Sequence, residues 1–176
     1  MRGRLAAEVD ALRPVGGDVA WIAAGNLHVT LKFLGRVDAA RLPEIEAVLA
    51  DAAALAAPFE LAVRGLGAFP SARRARVLWA GASGGAAAAR LATDVDEVLG
   101  GVGFTPEARP FTPHVTLGRV RTPRPNAALA GALTAADGRE FGHVRVERLS
   151  LMRSELSPRG ARYTELRALA LAGPAR

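Results

Sequence analysis

The tetrapeptide His-Val-Thr-Leu occurs twice in this chain, at residues 28–31 and again at residues 114–117. Each copy lies in an apolar run typical of a β-strand. Because side chains alternate between the two faces of a strand, the histidine and threonine of each copy share one face, and the valine and leucine share the other. Each strand is therefore expected to bury its aliphatic pair and to present one imidazole and one hydroxyl on the opposite face. The residues so presented are His28 and Thr30 in the first copy and His114 and Thr116 in the second.

The segments around the two copies follow nearly the same order along the chain. A helix precedes each copy, a second helix follows it, and a hairpin completes each half, the last one turning at the sequence SPRG, residues 157–160. Hairpins outnumber β-α-β crossovers, and no long linker separates the halves. The sequence therefore predicts an α+β fold over residues 1–176. We expect a single bilobal domain, in which two pseudo-symmetric lobes of largely antiparallel sheet, with outer helices, surround a central cleft.

Composition excludes several classes of protein. Half of the 176 residues are hydrophobic and 23% are charged, as in a globular chain. The absence of cysteine excludes disulfides, thiolate metal sites and cysteine nucleophiles. No apolar run reaches membrane-spanning length and no signal peptide precedes the fold. We expect a cytoplasmic, monomeric protein with no membrane partner.

The formal net charge of +6 indicates a polyanionic partner only weakly. The chain contains a single lysine, Lys32, and all its other basic side chains are arginines, in a sequence that is also rich in alanine. This pattern is typical of a compositional bias, and no dense basic block with interleaved aromatics appears.

Two opposed imidazoles suit in-line attack on phosphorus. A neutral imidazole takes a proton from water and a protonated one gives a proton to the leaving oxygen, roles open to a group with an unperturbed pKa of about 6.5. The threonine hydroxyls can bond phosphate oxygens. No third metal-type ligand accompanies the histidines, so neither a metal nor any other cofactor is expected. The third histidine, His143, has no threonine two residues on and is interpreted as structural or solvent-facing.

Two longer segments carry a family resemblance. The sequences NLHVTLKFLG and FTPHVTLGRV resemble the two signature segments of the two-histidine (2H) phosphoesterases, and within them the RNA 2′,3′-cyclic phosphodiesterases of the LigT, or 2′-5′ RNA ligase, family. The segments FELAVRGLGAFPSARRARVLWAG and LMRSELSPRGARYTEL resemble the family's middle and C-terminal hairpins. The resemblance covers most of the chain from Trp21 onward.

The resemblance implies a function and a set of site residues. The reaction is the metal-independent opening of a 2′,3′-cyclic phosphate, on RNA ends or cyclic nucleotides, to a 2′-phosphate. By the same resemblance His28 is the acid that protonates the leaving 3′ oxygen, and His114 is the base that activates water. Thr30 and Thr116 hold the phosphate, and Arg119 matches a phosphate-binding position. From the residues alone, the near-symmetry of the two motifs leaves the acid and base assignment open.

Two features depart from simple expectation. Strict alternation puts Arg119 on the face opposite His114, so that Arg119 must lie past the strand end or after a bulge at Gly118. The family also usually begins with a strand before the first helix, whereas this sequence starts inside that helix. Either the start codon is misassigned or the sheet lacks one strand, which would leave an exposed edge.

Four further residues are weaker candidates for substrate binding. Lys32 shares the strand parity of His28 and Thr30, so it is expected either at the rim of the cleft or as a solvated lysine at the strand end. Phe33, Phe111 and Tyr163 are candidate platforms for base stacking, although each type of side chain more often lies in a core.

Three rival functions are open at this point. The segment Gly81–Gly85 fits the G-x-S-x-G pattern of a nucleophile elbow centred on Ser83, but the α/β-hydrolase fold needs repeated βα units that this hairpin-rich chain lacks. A non-catalytic module that binds nucleotides or RNA ends is a second possibility. Reversible 2′-5′ RNA ligation, which uses the same site in the opposite direction, is the third.

Overall fold

The computed structural model describes residues 1–157 and 160–174. Within these residues the chain forms four α-helices and seven β-strands. In chain order they are α1 (Arg2–Gly16), β1 (Val19–Trp21), α2 (Leu42–Leu55), β2 (Phe59–Phe69), β3 (Val77–Ser83), α3 (Gly85–Gly101), β4 (His114–Val120), α4 (Ala127–Ala135), β5 (Glu140–Val146), β6 (Arg148–Ser157) and β7 (Gly160–Ala170). No helix of the described part of the chain is both long and apolar enough to span a membrane.

The chain divides into two compact units, each with one β-sheet and two helices, which confirms the predicted α+β class. The units do not coincide with the two sequential halves, because each unit combines segments from both halves of the chain. Unit 1 comprises Met1–Val29, Ala62–Ser83 and His114–Val144, and unit 2 comprises Thr30–Leu61, Gly84–Pro113 and Arg145–Arg176.

Unit 1 is built on a five-stranded sheet with the order β1-β4-β3-β2-β5. The β1–β4, β3–β4 and β2–β3 pairs are antiparallel. Helices α1 and α4 pack against each other and supply apolar side chains to the unit's core. Leu5 of α1, Leu133 of α4, Leu78 of β3 and Leu117 of β4 are at most 1% exposed. One face of the sheet is thus covered by helices and carries the aliphatic half of the second motif.

The helices of unit 1 follow from local sequence signals. Leu5, Val9 and Leu12 recur at helical spacing and are all buried along one side of α1. The residue after α1 is Gly17, whose φ of +70° favours glycine over any other residue. Helix α4 begins after Asn126, whose side chain accepts a hydrogen bond of 3.0 Å from the backbone N–H of Leu129.

Unit 2 contains the antiparallel β6–β7 pair and helices α2 and α3. Ile45 of α2, Leu99 of α3 and Leu151 of β6 lie in one buried cluster with the other aliphatic residues of these elements. The first arm of the predicted last hairpin, before the SPRG turn, is preceded by a separate strand, because β5 and β6 pair in different sheets. Pro158 and Arg159, in the predicted SPRG turn, lie outside the described residues.

Gly118 lets β1 approach β4 closely. A Cβ atom at this position would lie 2.7 Å from Val19 Cγ1, 3.1 Å from Trp21 Cε3 and 3.3 Å from the Ala20 carbonyl oxygen. Only a residue without a side chain therefore fits between β4 and the edge strand β1.

We expect Gly118→Ala to lower the free energy of unfolding by about 1–3 kcal/mol, the usual cost of overpacking a tight contact. The matched control is Gly131→Ala, because Gly131 lies in α4 with open space around its Cα. Replacing a helical glycine by alanine should raise stability by about 0.5–1 kcal/mol. Urea unfolding followed by circular dichroism measures both, and equal stability of the two variants would contradict the expectation.

Candidate active site

The second motif lies on β4, where the alternation expected from the sequence holds. Val115 and Leu117 are 3% and 0% exposed and face the helices, whereas His114 and Thr116 are only half-buried. The register confirms this arrangement, because Thr116 is the partner of Trp79 and His114 is the partner of Gly81 on β3. The imidazole and the hydroxyl therefore share the face of the sheet that α1 and α4 leave open.

The first motif is not the regular strand that the sequence predicts. Its backbone makes one isolated antiparallel bridge, between Val29 and Val115. In such a bridge the flanking residues stand opposite each other, so His28 opposes Thr116 and lies diagonally across from His114. Diagonal neighbours of this kind are about 7–8 Å apart. Leu27 is buried and His28 exposed, but Val29 and Leu31, which the sequence predicts to be buried, are only half-buried.

A backbone hydrogen bond fixes the ring of His28. Its Nδ1 lies 2.7 Å from the carbonyl oxygen of Asn26, at the end of a short 3₁₀ turn, Ala24–Asn26. A carbonyl oxygen only accepts hydrogen bonds, so Nδ1 carries the hydrogen in both the neutral and the cationic ring. The nitrogen that gains and loses a proton is therefore Nε2.

Two aromatic side chains that sequence analysis did not single out flank His114. The Phe69 ring meets the imidazole edge to face, with centroids 5.1 Å apart and planes at 82°, and the Trp79 ring lies 6.5 Å away. Trp79 spreads over Gly67, where a Cβ would come within 2.3 Å of the indole. Its buried Nε1 has no hydrogen-bond partner among the described residues. The sequence signal for this arrangement is that Gly67 stands opposite Trp79 on the neighbouring strand. That pairing can be recognised only once the register between β2 and β3 is known.

A β-bulge brings Arg119 to the same face as His114. Thr116 pairs with Trp79 and Gly118 with Leu78, so that Leu117 is an extra residue in β4. Leu117 and Gly118 are consecutive buried residues, and the exposed Arg119 returns to the open face. Of the two alternatives that the sequence left open for Arg119, the structure shows the bulge, with Leu117 rather than Gly118 as the extra residue.

Thr30 and the aromatic candidates belong to unit 2. Thr30 is exposed, and Phe33 is 76% exposed, an unusual state for so apolar a ring. Phe111 and Tyr163 are half-buried. Of the three aromatic candidates, Phe33 alone is prominently accessible within its unit.

Lys32 is neither a solvated lysine nor an available cation. Its side chain is only 3% exposed, and its ammonium group forms an ion pair with Asp96 of α3. The same ammonium donates to the Thr105 carbonyl oxygen at 2.7 Å, while the Asp96 carboxylate also accepts from the Glu107 backbone N–H. Strand alternation predicted that Lys32 would lie on the same face as His28 and Thr30. Its long side chain instead reaches the Asp96 carboxylate and the Thr105 carbonyl oxygen inside unit 2.

The remaining candidates have simple structural outcomes. His143 is exposed, as expected. Ser83 ends β3, whose neighbours β2 and β4 are both antiparallel to it, whereas a nucleophile elbow needs a strand in a parallel sheet. Among the described residues no cluster of three or more histidine, aspartate or glutamate side chains is arranged to hold a metal ion.

Comparison with known proteins places this fold and its paired motifs in a family. The model of the 2′-5′ RNA ligase superfamily matches residues 2–158, so the chain belongs to that superfamily. The resemblance to two-histidine phosphoesterases is thereby confirmed.

Individual relatives cover nearly the whole chain. An RNA 2′,3′-cyclic phosphodiesterase of Methanothermobacter thermautotrophicus is 39% identical over 89% of this chain and 85% of its own length. One of Aeropyrum pernix is 38% identical over 94% of both chains. A crystal structure from Thermus thermophilus superposes with a TM-score of 0.84 at 31% identity, covering 99% of this chain and 93% of that one. Escherichia coli LigT complexed with 3′-AMP gives 0.69 at 26% identity, covering 97% and 92%.

The buried ion pair leads to a stability prediction. Lys32→Met should lower the melting temperature, because the Asp96 carboxylate loses its charged donor. The separate variant Lys32→Arg should also melt at a lower temperature than the wild type, since a planar guanidinium does not fit a site shaped for an ammonium group. The matched control is Arg153→Met, which breaks the solvent-exposed pair with Glu155 and should change little. Equal losses at both sites would contradict the structural role of Lys32.

The same pair predicts a pH dependence. The hydrogen bond from Lys32 lowers the pKa of Asp96 below its usual 3.8, against the opposing effect of burial and with help from the Glu107 N–H. A carboxyl group whose pKa is lower in the folded state stabilises the fold above its unfolded pKa, and this stabilisation is lost as the pH falls through the folded value. The difference in melting temperature between wild type and Asp96→Asn should therefore be full at neutral pH and shrink below the usual 3.8. A difference that stays constant down to the acid limit would refute the assignment.

Proposed function

We propose that this protein hydrolyses 2′,3′-cyclic phosphate ends of RNA or nucleotides to 2′-phosphates, by paired-histidine acid–base catalysis without a metal ion. Its superfamily membership and the names of relatives that cover most of the chain support the substrate and the bond. A LigT relative at 26% identity binds a nucleotide, which supports the kind of ligand.

The single observation that carries the proposal is the bridge between Val29 and Val115. It sets His28 opposite Thr116 and diagonal to His114, on the face that the helices leave open. A spacing of about 7–8 Å between diagonal backbone positions leaves room for a phosphate group between two imidazoles. If the two histidines had separate structural roles, nothing would require them to lie on one face of the sheet beside the Thr116 hydroxyl.

The reaction follows from these groups. The neutral ring of His114 takes a proton from water as the water oxygen attacks phosphorus. The phosphorus–O3′ bond breaks on the opposite side, and His28 gives the leaving O3′ its proton from Nε2. The product carries a 3′-hydroxyl and a 2′-phosphate, and the two rings regain their starting states by exchanging protons with solvent. The hydrogen bond of His28 Nδ1 to Asn26 persists through this cycle, because the carbonyl accepts from either form of the ring.

The other residues bind rather than transfer protons. Thr30 and Thr116 donate hydroxyl hydrogen bonds to non-bridging phosphate oxygens, and Arg119 balances the charge that develops on them. Phe33, by its exposure, is the preferred platform for the terminal base, ahead of Phe111 and Tyr163. This set recognises a nucleotide end rather than a phosphate alone.

A second candidate function, favoured by the superfamily description, is 2′-5′ RNA ligation at the same site. In this reaction the 5′-hydroxyl of a second RNA takes the place of water. Its oxygen attacks phosphorus, the bond to O3′ breaks, and the same two histidines move the protons. Appearance of a 2′-5′ linkage when RNA halves are supplied at high concentration would establish this activity.

Hydrolysis of a nucleoside 2′,3′-cyclic phosphate in EDTA tests the proposal. We expect a 2′-phosphate product, and losses of about 10²–10⁴-fold in kcat for His28→Ala and for His114→Ala, the usual contribution of a general acid or base. His143→Ala, the exposed third histidine, is the matched control and should retain full activity. A 3′-phosphate product would show that O2′, and not O3′, is the leaving oxygen, and would contradict that part of the proposal. Tight binding of substrate with no turnover, for RNA ends as well, would favour a binding module instead.

The pH profile supplies an independent test. One histidine must be neutral and the other cationic, so kcat/KM should be bell-shaped as the pH is varied. Each single histidine variant should lose the limb that belongs to the residue removed. A profile that is flat from about pH 5 to 9 would contradict a histidine pair.

A further inference from the structure

Six arginines gather at the end of the unit 1 sheet towards which β4 runs. The loop joining β2 to β3, residues 70–76, and the stretch from the end of β4 to α4, residues 118–126, each contain three arginines and no acidic residue. We define the arginine surface as Arg73, Arg74, Arg76, Arg119, Arg121 and Arg124, all of which are exposed.

The two segments lie side by side. The Val120 backbone N–H donates to the Arg76 carbonyl oxygen at 2.9 Å, and Val77 pairs with Arg119 across the strands. A cavity of about 570 Å³ is lined jointly by Ala72 and Ala75 of the first segment and by Thr122 and Arg124 of the second. Of the six arginines, Arg124 lines this cavity, together with Asp18, and the cavity joins the two segments at one end of the sheet.

The arginine surface is poor in ion pairs. Several arginines elsewhere are paired with acids, as in Arg139–Glu8, Arg145–Glu60 and Arg148–Glu165. In the arginine surface only Arg121 has such a partner, Asp18, among the described residues. A uniform bias towards arginine accounts for the number of these residues, but it does not explain why five of them have no ion-pair partner in the described part of the chain. Such clustering costs stability through repulsion unless an anion is bound.

The surface is continuous with the proposed site. The β4 bulge puts Arg119 on the same face as Thr116, and Arg121 follows two residues further along. We propose that the arginine surface binds the sugar–phosphate backbone of an RNA chain whose cyclic end is held at His28 and His114. This inference rests on the proposed function and deepens it, because it makes polynucleotide RNA, rather than a free cyclic nucleotide, the preferred substrate.

The test compares RNA binding and turnover in two matched variants. The first replaces Arg73, Arg74 and Arg124 by glutamine, which removes three unpaired charges from exposed loops and leaves Arg119 in place. The control replaces Arg2, Arg4 and Arg90 by glutamine. Arg2 and Arg4 lie at the start of α1, about 20 Å from its other end beside the cavity, at a rise of about 1.5 Å per residue. Both variants have the same net charge.

Binding is measured by fluorescence anisotropy with a labelled RNA of about 10 nucleotides, a length within the usual range for single-strand sites. The RNA ends in a 2′-phosphate, so it is not consumed. The loop variant should bind at least about tenfold more weakly at low salt, and its slope of log K against log salt should be shallower by about 2, for three fewer phosphate contacts. The control should match the wild type in both respects.

Turnover separates this inference from the proposed function. The wild type should show a higher kcat/KM for cyclic-ended RNA than for a cyclic mononucleotide, and the loop variant should lose this advantage while its mononucleotide turnover stays unchanged. Equal RNA affinity in the loop variant and the wild type would overturn the arginine surface, even with full hydrolytic activity. Equal weakening in the control would also overturn it, because net charge alone would then explain binding. Loss of hydrolysis on every substrate, with RNA binding still dependent on the loop arginines, would instead overturn the proposed function.

Discussion

The single antiparallel bridge between Val29 and Val115 is the contact on which the arrangement of both histidine motifs depends. The second motif has a whole strand, hydrogen-bonded on both sides, to hold its side chains in place. The first makes this isolated bridge, buries Leu27 beside it, holds the ring of His28 by a hydrogen bond and packs Leu31 against the core of unit 2. The two imidazoles are thus held unequally: one sits on a rigid sheet, and the other lies on a segment anchored at a few points.

Sequence patterns predicted which side chains share a strand face better than they predicted which strands pair with each other. Alternation placed His114 and Thr116 on one face, and the helices α1, α2 and α3 followed from apolar spacing and glycine or proline stops. These features depend on residues close in sequence. Whether the first motif would join a ladder depended on pairing with residues more than 80 positions away, and no local pattern encodes that choice.

For two residues, side-chain length and packing produce contacts that the alternation of residues along a strand does not predict. Lys32 has the parity of an exposed position, yet its four-carbon chain carries the ammonium group back to Asp96 and the Thr105 carbonyl. Nothing in the sequence indicates that Trp79 differs from other strand residues. Its place beside His114 depends on Gly67 of the neighbouring strand, which has no side chain to occupy the space of the indole ring. For Arg119 the sequence did better, because its conflict with strict alternation demanded an irregularity, and Leu117 supplies it.

The interleaving of the two units has a consequence for synthesis on the ribosome. Unit 1 takes its last segment from His114–Val144, so its sheet cannot close until about four-fifths of the chain has emerged. Unit 2 needs the β6–β7 pair, which is later still. Neither unit can be completed by a continuous fragment, and nascent chains expose the apolar faces of both until near the end of translation. Folding of both units is therefore late, and a chain truncated before β6 would keep Lys32 and Asp96 but would lack the two strands that complete the core of unit 2.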